Sequence, residues 1–230
     1  MAYQNGPKII TDGLIMCVDA NNIKSYPGSG TSAYNIIKPT NTFSFGSNLS
    51  WQTGSPSYFA SDGTDDSLEA PHSANLNIAG AYTLEVWIWW SQHKLYACSL
   101  VKGPGGSGNY FNYCFFFYDT NIITGCGDGS SFYSTSLNVS TGYIATNTWH
   151  HLVGTFNGTN TFKIYVDGVE RSSATMGSTV VPYQNTDILS VIQNPYSLNG
   201  RVSAARVYNV CFTPNQVLQN YNATKSRFGL

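Results

Sequence analysis

Apolar and polar positions alternate along this chain in short runs bounded by turn residues. The clearest run is YTLEVWIWW, Tyr82 to Trp90. With period 2, Tyr82, Leu84, Val86, Ile88 and Trp90 fall on one face of a strand, and Thr83, Glu85, Trp87 and Trp89 on the other. The first face is uniformly apolar and is expected to meet a core. The second starts polar and ends aromatic, which suits a partly covered face or a binding surface. In TWHHLVGTFNGTNTFKIYVDGVER, Trp149, His151 and Val153 alternate with His150, Leu152 and Phe156. NGTN then turns the chain and TFKIYV runs back. Asp167-Gly168 predicts a two-residue hairpin, because a type I′ turn needs positive φ at both positions.

Further strands are predicted in GLIMCVDA (13–20), on both sides of the Gly/Asp turn in SYFASDGTDDSLEAP, and in LYACSLVKG, NYFNYCFFFYD, DILSVIQ and GRVSAARVYN. KSYPGSGTSAYN and GPGGSG read as loops. The C-terminal pattern changes. Thr213 stands at an N-cap, Pro214 in the first turn and Gln216 three residues after the cap. That is a capping box with proline at N1. Val217, Leu218 and Tyr221 share one face of the short helix it predicts, over about 214–223.

The 230 residues suit one large all-β domain, and no repeat or linker divides them. The domain is expected over 13–223, with an N-terminal arm (1–12) and a C-terminal tail (224–230). Charged residues are 10% of the chain and the net charge is -1, without a basic run, so nucleic acid is not an expected partner. No stretch reaches the roughly 18 apolar residues of a membrane span, and MAYQNGPKIITDG has no apolar signal core. A chain made in the cytoplasm follows as the expectation. Its five cysteines, widely spaced, are expected to be free thiols.

Little of the chain's chemistry forms a catalytic pattern. Ser107 in GGSGN fails the G-x-S-x-G elbow at its last position. GPGGSG lacks the Lys-Ser/Thr of a phosphate loop. His150 and His151 are adjacent in a strand, point to opposite faces and cannot share a metal; one of them is expected to be exposed. No cofactor is expected. The candidate inorganic ion is calcium, at Asp62, Asp65 and Asp66 in SDGTDDS, although such clusters also serve ordinary turns.

In order and spacing, TLEVWIWW, NTWHHLVGTFNGTNTFKIYVDGVE and LNGRVSAARVYNVCFTPNQVLQNYN together resemble the laminin-G-like branch of the concanavalin A-like lectin/glucanase superfamily, over about 13–223. The resemblance implies a two-sheet antiparallel jelly-roll sandwich with adjacent terminal strands and one short C-terminal helix. It makes Trp87 a core residue, as the apolar face already makes Trp90, and leaves Trp89, at the strand's end, as the candidate glycan contact. Glucanases of this fold carry E-x-D-x-x-E on one strand. Here Trp87 stands where the Asp would be, and Glu69, Glu85 and Glu170 are far apart, so no enzyme is expected.

GLIMCVDANNIKSYPGSGT and QNYNATKSRFGL also resemble structural proteins of tailed phages. That implies a virion protein, a head decoration or a tail or fibre component, with other virion proteins as partners. It would be a homo-oligomer or a repeated copy on a lattice. The alternative is a lectin-like module for host surface glycans. Tyr3, Arg227 and Phe228, in the two tails, are residue types enriched at interface anchors and are the candidate partner contacts.

Overall fold

The computed structural model describes residues 7–104 and 107–230, and for Cys98 the backbone alone. Tyr3 lies outside the described residues, as does part of the GPGGSG loop.

In chain order the strands are β1 (Leu14–Asp19), β2 (Ser32–Tyr34), β3 (Thr42–Gly46), β4 (Ser50–Gln52), β5 (Tyr58–Asp62), β6 (Ser67–Ala70), β7 (Tyr82–Trp90) and β8 (Cys98–Lys102). They continue as β9 (Tyr113–Tyr118), β10 (Asn121–Gly127), β11 (Phe132–Asn138), β12 (His150–Phe156), β13 (Thr161–Val166), β14 (Val169–Thr175), β15 (Leu189–Ile192) and β16 (Asn199–Tyr208), before helix α1 (Pro214–Thr224). They form two antiparallel sheets. The first runs β14-β13-β12-β7-β16-β5-β4, with β1 also on β16; the second runs β11-β10-β9-β8-β15-β6-β3-β2. The long β16 is shared: Asn199 to Val202 pair with β5, and Ala204 to Tyr208 with β1. The terminal strands are therefore neighbours, as the resemblance implied. No helix among the described residues is long and apolar enough to cross a membrane.

The period-2 reading of β7 holds residue by residue. Tyr82, Leu84, Val86, Ile88 and Trp90 all sit in the core between the sheets, fully buried. Leu152 and Phe156 of β12 and Phe162 and Ile164 of β13 join them. The Asp167-Gly168 turn has φ of 51° and 81°, as type I′ demands. Both arms of the capping box at Thr213 are present, with Pro214 in the first turn.

Several details depart from expectation. KSYPGSGTSAYN, read as loop, carries β2, and β3 and β4 follow where the sequence predicts no strand. The two strands of SYFASDGTDDSLEAP do not pair; β5 and β6 belong to different sheets, so the acidic turn is a crossover between layers. Strands β10 and β11 occupy a stretch where the sequence predicts none. Neither His150 nor His151 is exposed. On α1, Leu218 is exposed, and the seated residues are Val217, Asn220 and Thr224. Cys17, Cys126 and Cys211 are free thiols, as expected; Cys114 is buried, and the side chain of Cys98 lies outside the described residues.

Candidate functional site

The polar face of β7 is covered. Helix α1 and the following short 3-10 helix, Lys225–Phe228, lie over it, and the covered groups form one hydrogen-bonded cluster centred on Glu85. Arg206 Nη1 donates to Glu85 Oε1 at 2.5 Å and His151 Nε2 lies 3.0 Å from the same oxygen. Tyr208 Oη and Asn220 Nδ2 donate to Oε2 at 3.1 and 2.7 Å. Burial alone would raise the Glu85 pKa. The Arg206 charge, the His151 contact and the Asn220 bond outweigh it and hold the carboxyl at about 2. A general acid needs the opposite shift. Glu85 is a framework anion.

The N-terminal segment and the C-terminal tail are tied into the same face. Asn220 Oδ1 accepts from Ile10 N at 2.7 Å, and Gln219 Nε2 donates to the Lys8 carbonyl at 2.8 Å. The Trp87 indole N–H donates to Thr224 Oγ1 at 2.9 Å. The Phe228 ring lies parallel on Trp87, with centroids 3.8 Å apart and planes 8° apart. Arg227 Nη1 donates to both carboxylate oxygens of Asp19, at 3.0 and 2.8 Å. The expectation that 224–230 stands outside the sandwich and offers Arg227 and Phe228 to a partner is corrected. Both side chains are spent on their own domain, because Trp87 and Asp19 would otherwise be left open on its surface.

Trp89 is half-buried, and the Arg201 guanidinium sits 4.1 Å over its ring, with Tyr58 4.8 Å from the same guanidinium. A cation of the domain already occupies a face of this indole, so Trp89 is a poor sugar platform.

Asp62, Asp65 and Asp66 do converge, with ligand atoms within 4.8 Å of one another. They do not fit calcium well. Asp62 Oδ1 accepts from Thr64 N and Asp66 Oδ2 from Asp62 N, so the turn is built on these oxygens. The Lys94 ammonium donates to the Gly63 carbonyl, which a metal would otherwise use. Burial also pushes the Asp66 carboxyl up, towards its neutral form. The buried carboxylate oxygens of this turn without a partner are Asp65 Oδ1 and Asp66 Oδ1, so most of the six to eight oxygens that calcium takes would have to come from elsewhere.

The second sheet carries the more open chemistry. In β9, Tyr113, Phe115 and Phe117 enter the core, while Cys114 and Phe116 join Val101 and Phe111 in a separate apolar cluster on the outer face. Over that cluster opens a pocket of about 380 Å³. Phe111, Phe116 and Ile123 form its floor, with Phe132, the tyrosines Tyr96, Tyr118 and Tyr196, and the buried Gln193 around it. The tyrosine rings brace edge to face, with Tyr96 5.0 Å from Tyr118 and 5.6 Å from Tyr196. Gly108 is needed here, because a Cβ on it would come within 2.8 Å of the Phe132 ring. The pocket lining contains no charged side chain.

A second pocket, of about 450 Å³, is lined by Asn77, Pro104, Tyr110, Tyr183 and the 184–187 loop. Beneath it Lys102 is fully buried. Its ammonium donates to Asn185 Oδ1 at 2.8 Å and to the Asp187 carbonyl at 2.5 Å, with His72 Nδ1 at 3.4 Å. Burial pushes its pKa down to about 8 against the pull of Asp187. Lys102 thus holds the loop in shape. Asn185 Nδ2 in turn donates to the Tyr110 carbonyl at 3.0 Å, pinning the short 3-10 helix Gly108–Tyr110.

None of these pocket aromatics stood out in the sequence. The available signal was YCFFFY itself: a strand apolar on both faces in an antiparallel sheet has a second face to cover or to use.

Comparison with solved structures gives the same architecture. The binding domain of Paraclostridial Mosquitocidal Protein 1 matches at TM-score 0.69 and 12% identity, covering 92% of this chain and 52% of that one. The botulinum neurotoxin serotype D binding domain matches at TM-score 0.69 and 15% identity over the same shares. The chain thus spans about half the length of these two domains. Domain 4 of AbnA, a GH43 extracellular arabinanase from Geobacillus stearothermophilus solved with arabinotriose, matches at TM-score 0.64 and 18% identity, covering 90% of this chain and 98% of that one. No curated protein matches the sequence. The Laminin_G_3 family model matches residues 62–218, well over half the chain. The chain belongs to the concanavalin A-like lectin/glucanases superfamily.

Proposed function

We propose that this domain is a non-catalytic glycan-binding module that uses the outer face of its second sheet. The observation that carries the reading is the aromatic pocket over Phe111 and Phe116, rimmed by Tyr96, Tyr118 and Tyr196. Pyranose rings present C–H faces that pack on aromatic rings and hydroxyls that suit phenol groups and amides, and the pocket supplies both. The structural likeness to an arabinanase domain solved with arabinotriose supports it.

Hydrolysis needs two carboxylates flanking the scissile bond. Asp187 is the acid that lines either of the two pockets; Glu85 is locked beneath α1, and Glu170 pairs with Lys163 at 2.9 Å on the edge of the other sheet. The expected virion setting, as a head decoration or a tail or fibre component, rests on the resemblance of the terminal stretches. In that setting the ligand would be a host surface glycan, and repeated copies would turn weak contacts into avidity.

Tyr118 is 43% exposed and holds no part of the core, so Tyr118→Ala should leave unfolding within about 0.5 kcal/mol of wild type. Its glycan affinity, measured by calorimetry on the tightest binder from a glycan array, should fall about tenfold, or about 1.4 kcal/mol. Unchanged affinity, or an array without any bound glycan, would remove this reading.

A further inference from the structure

The two pockets share a wall. The helix Gly108–Tyr110 and the residue after it supply Tyr110 to the polar pocket, and Gly108 and Phe111 to the aromatic one. The wall is held from both sides: Asn185 Nδ2 donates to the Tyr110 carbonyl, Gly127 N to the Phe111 carbonyl at 2.8 Å, and Gly129 N to the Asn109 carbonyl at 2.8 Å. The close approach is built in, since a Cβ on Gly127 would lie 1.9 Å from the Asn109 carbonyl oxygen.

The chemistry of the two sides differs. On the polar side Tyr110 and Tyr183 meet edge to face at 5.4 Å, and Gln184, Thr186 and Asp187 offer an amide oxygen, a hydroxyl and a carboxylate, the Gln184 Nε2 being spent on the Ile78 and Pro182 carbonyls. Gln184 and Thr186 are exposed. That set suits a hydroxyl-rich ring, because a carboxylate can accept from two neighbouring hydroxyls. Lys102 lies beneath but is fully buried, with its ammonium committed to Asn185, Asp187 and His72, so it offers nothing to an anion. On the other side, the floor of Phe111, Phe116 and Ile123 is apolar, and the polar side chains around it are the three tyrosines and the Gln193 amide, which is 3% exposed. Such a floor gains from a methyl group and would leave a buried hydroxyl unpaired.

Building on the glycan-binding reading, we propose that the two pockets are adjoining subsites for one neutral oligosaccharide. The aromatic subsite takes a methyl-bearing sugar, an acetamido or a 6-deoxy sugar. The polar subsite takes its hydroxyl-rich neighbour. A ligand that spans the wall engages both, so affinity rises with chain length once a second unit is present.

The test is calorimetry with wild type, Tyr110→Ala and Tyr118→Ala. The probes are N-acetylglucosamine and its dimer and tetramer, 2′-fucosyllactose, the methyl-free cellotetraose and lactose, and sialyllactose. Tyr110 and Tyr118 are 42% and 43% exposed, so both variants should fold, as circular dichroism would verify. For wild type, at least a tenfold gain is expected from monomer to tetramer in the acetamido series, or from lactose to its fucosylated form. The matched methyl-free probe should bind at least tenfold more weakly, and sialyllactose no better than lactose. Tyr110→Ala should erase the gain with length while sparing the affinity for one methyl-bearing unit; Tyr118→Ala should weaken every probe. Glycan binding without a gain from chain length, without preference for either methyl-bearing probe, or with preference for the sialylated one would overturn the subsite proposal alone. A domain that binds no glycan on a broad array would overturn the underlying reading as well.

Discussion

Glu85→Ala is expected to lower the unfolding free energy by about 3–5 kcal/mol, the usual consequence of removing one partner from a buried ion pair. Arg206 is 2% exposed and would keep its charge with Asp19 Oδ2, 3.8 Å from Nη2, as the remaining anion beside it. Glu85→Gln should cost nearly as much despite its equal volume. All four neighbours of the carboxylate, Arg206, His151, Tyr208 and Asn220, are placed as donors, and an amide offers them one acceptor and two competing hydrogens. The pH dependence has a definite sign. Glu85 is held at about 2 in the folded state against an ordinary 4.5, so its stabilisation is fully present above pH 4.5 and is lost as pH falls towards 2. The difference corresponds to about 3 kcal/mol. Urea unfolding of wild type and both variants at pH 7 and pH 3 checks this. The gap between wild type and variant should narrow at the lower pH. A gap under 1 kcal/mol at pH 7 would show that the cluster contributes little.

How much of this was legible in the sequence varies with the physics of each element. β7, the Asp167-Gly168 turn and the capping box at Thr213 each carry a local signal that tertiary packing reinforced. β10 and β11 carry little: NIITGCG and FYSTSLN mix Gly, Ser, Thr and Asn with apolar residues, and their pairing with each other and with β9 is what makes them strands. The split of β5 and β6 between sheets was illegible, because a Gly/Asp turn looks alike whether the chain folds back or crosses over. On α1, hydrophobicity pointed to Leu218, yet the covered surface is the polar face of β7, so Asn220 and Thr224 are the residues that seat. Their value comes from partners, Glu85 and Trp87, that lie more than a hundred residues away. The aromatic pocket was hidden for a related reason. YCFFFY is apolar on both faces, so period 2 could not separate the core set of Tyr113, Phe115 and Phe117 from Phe116 and Tyr118.

Removing Lys225 to Leu230 is expected to destabilise the sandwich itself, by about 3–4 kcal/mol. Phe228 is 9% exposed, stacks on Trp87 and touches Trp149, with centroids 5.1 Å apart. Loss of a buried phenylalanine costs about 3–5 kcal/mol, and this one sits at the lower end because its edge reaches solvent. Trp87, fully buried in the intact domain, would open one face of its indole to water while its N–H stayed on Thr224. Asp19 would lose its shorter ion-pair partner, Arg227 at 2.8 Å, and keep Arg206 at 3.8 Å. For a domain of this size each kcal/mol moves the melting temperature by roughly 2–4 °C, so a fall of about 6–16 °C should appear by calorimetry, with a red shift of tryptophan emission at 25 °C. Phe228→Leu should recover part of the loss, since an apolar side chain still covers Trp87, whereas Arg227→Ala alone should cost about 1 kcal/mol or less because that guanidinium is one-third exposed. A truncated protein melting within 2 °C of the full chain would show that Phe228 covers nothing of consequence, and would return the tail to the role of a free arm available to a partner.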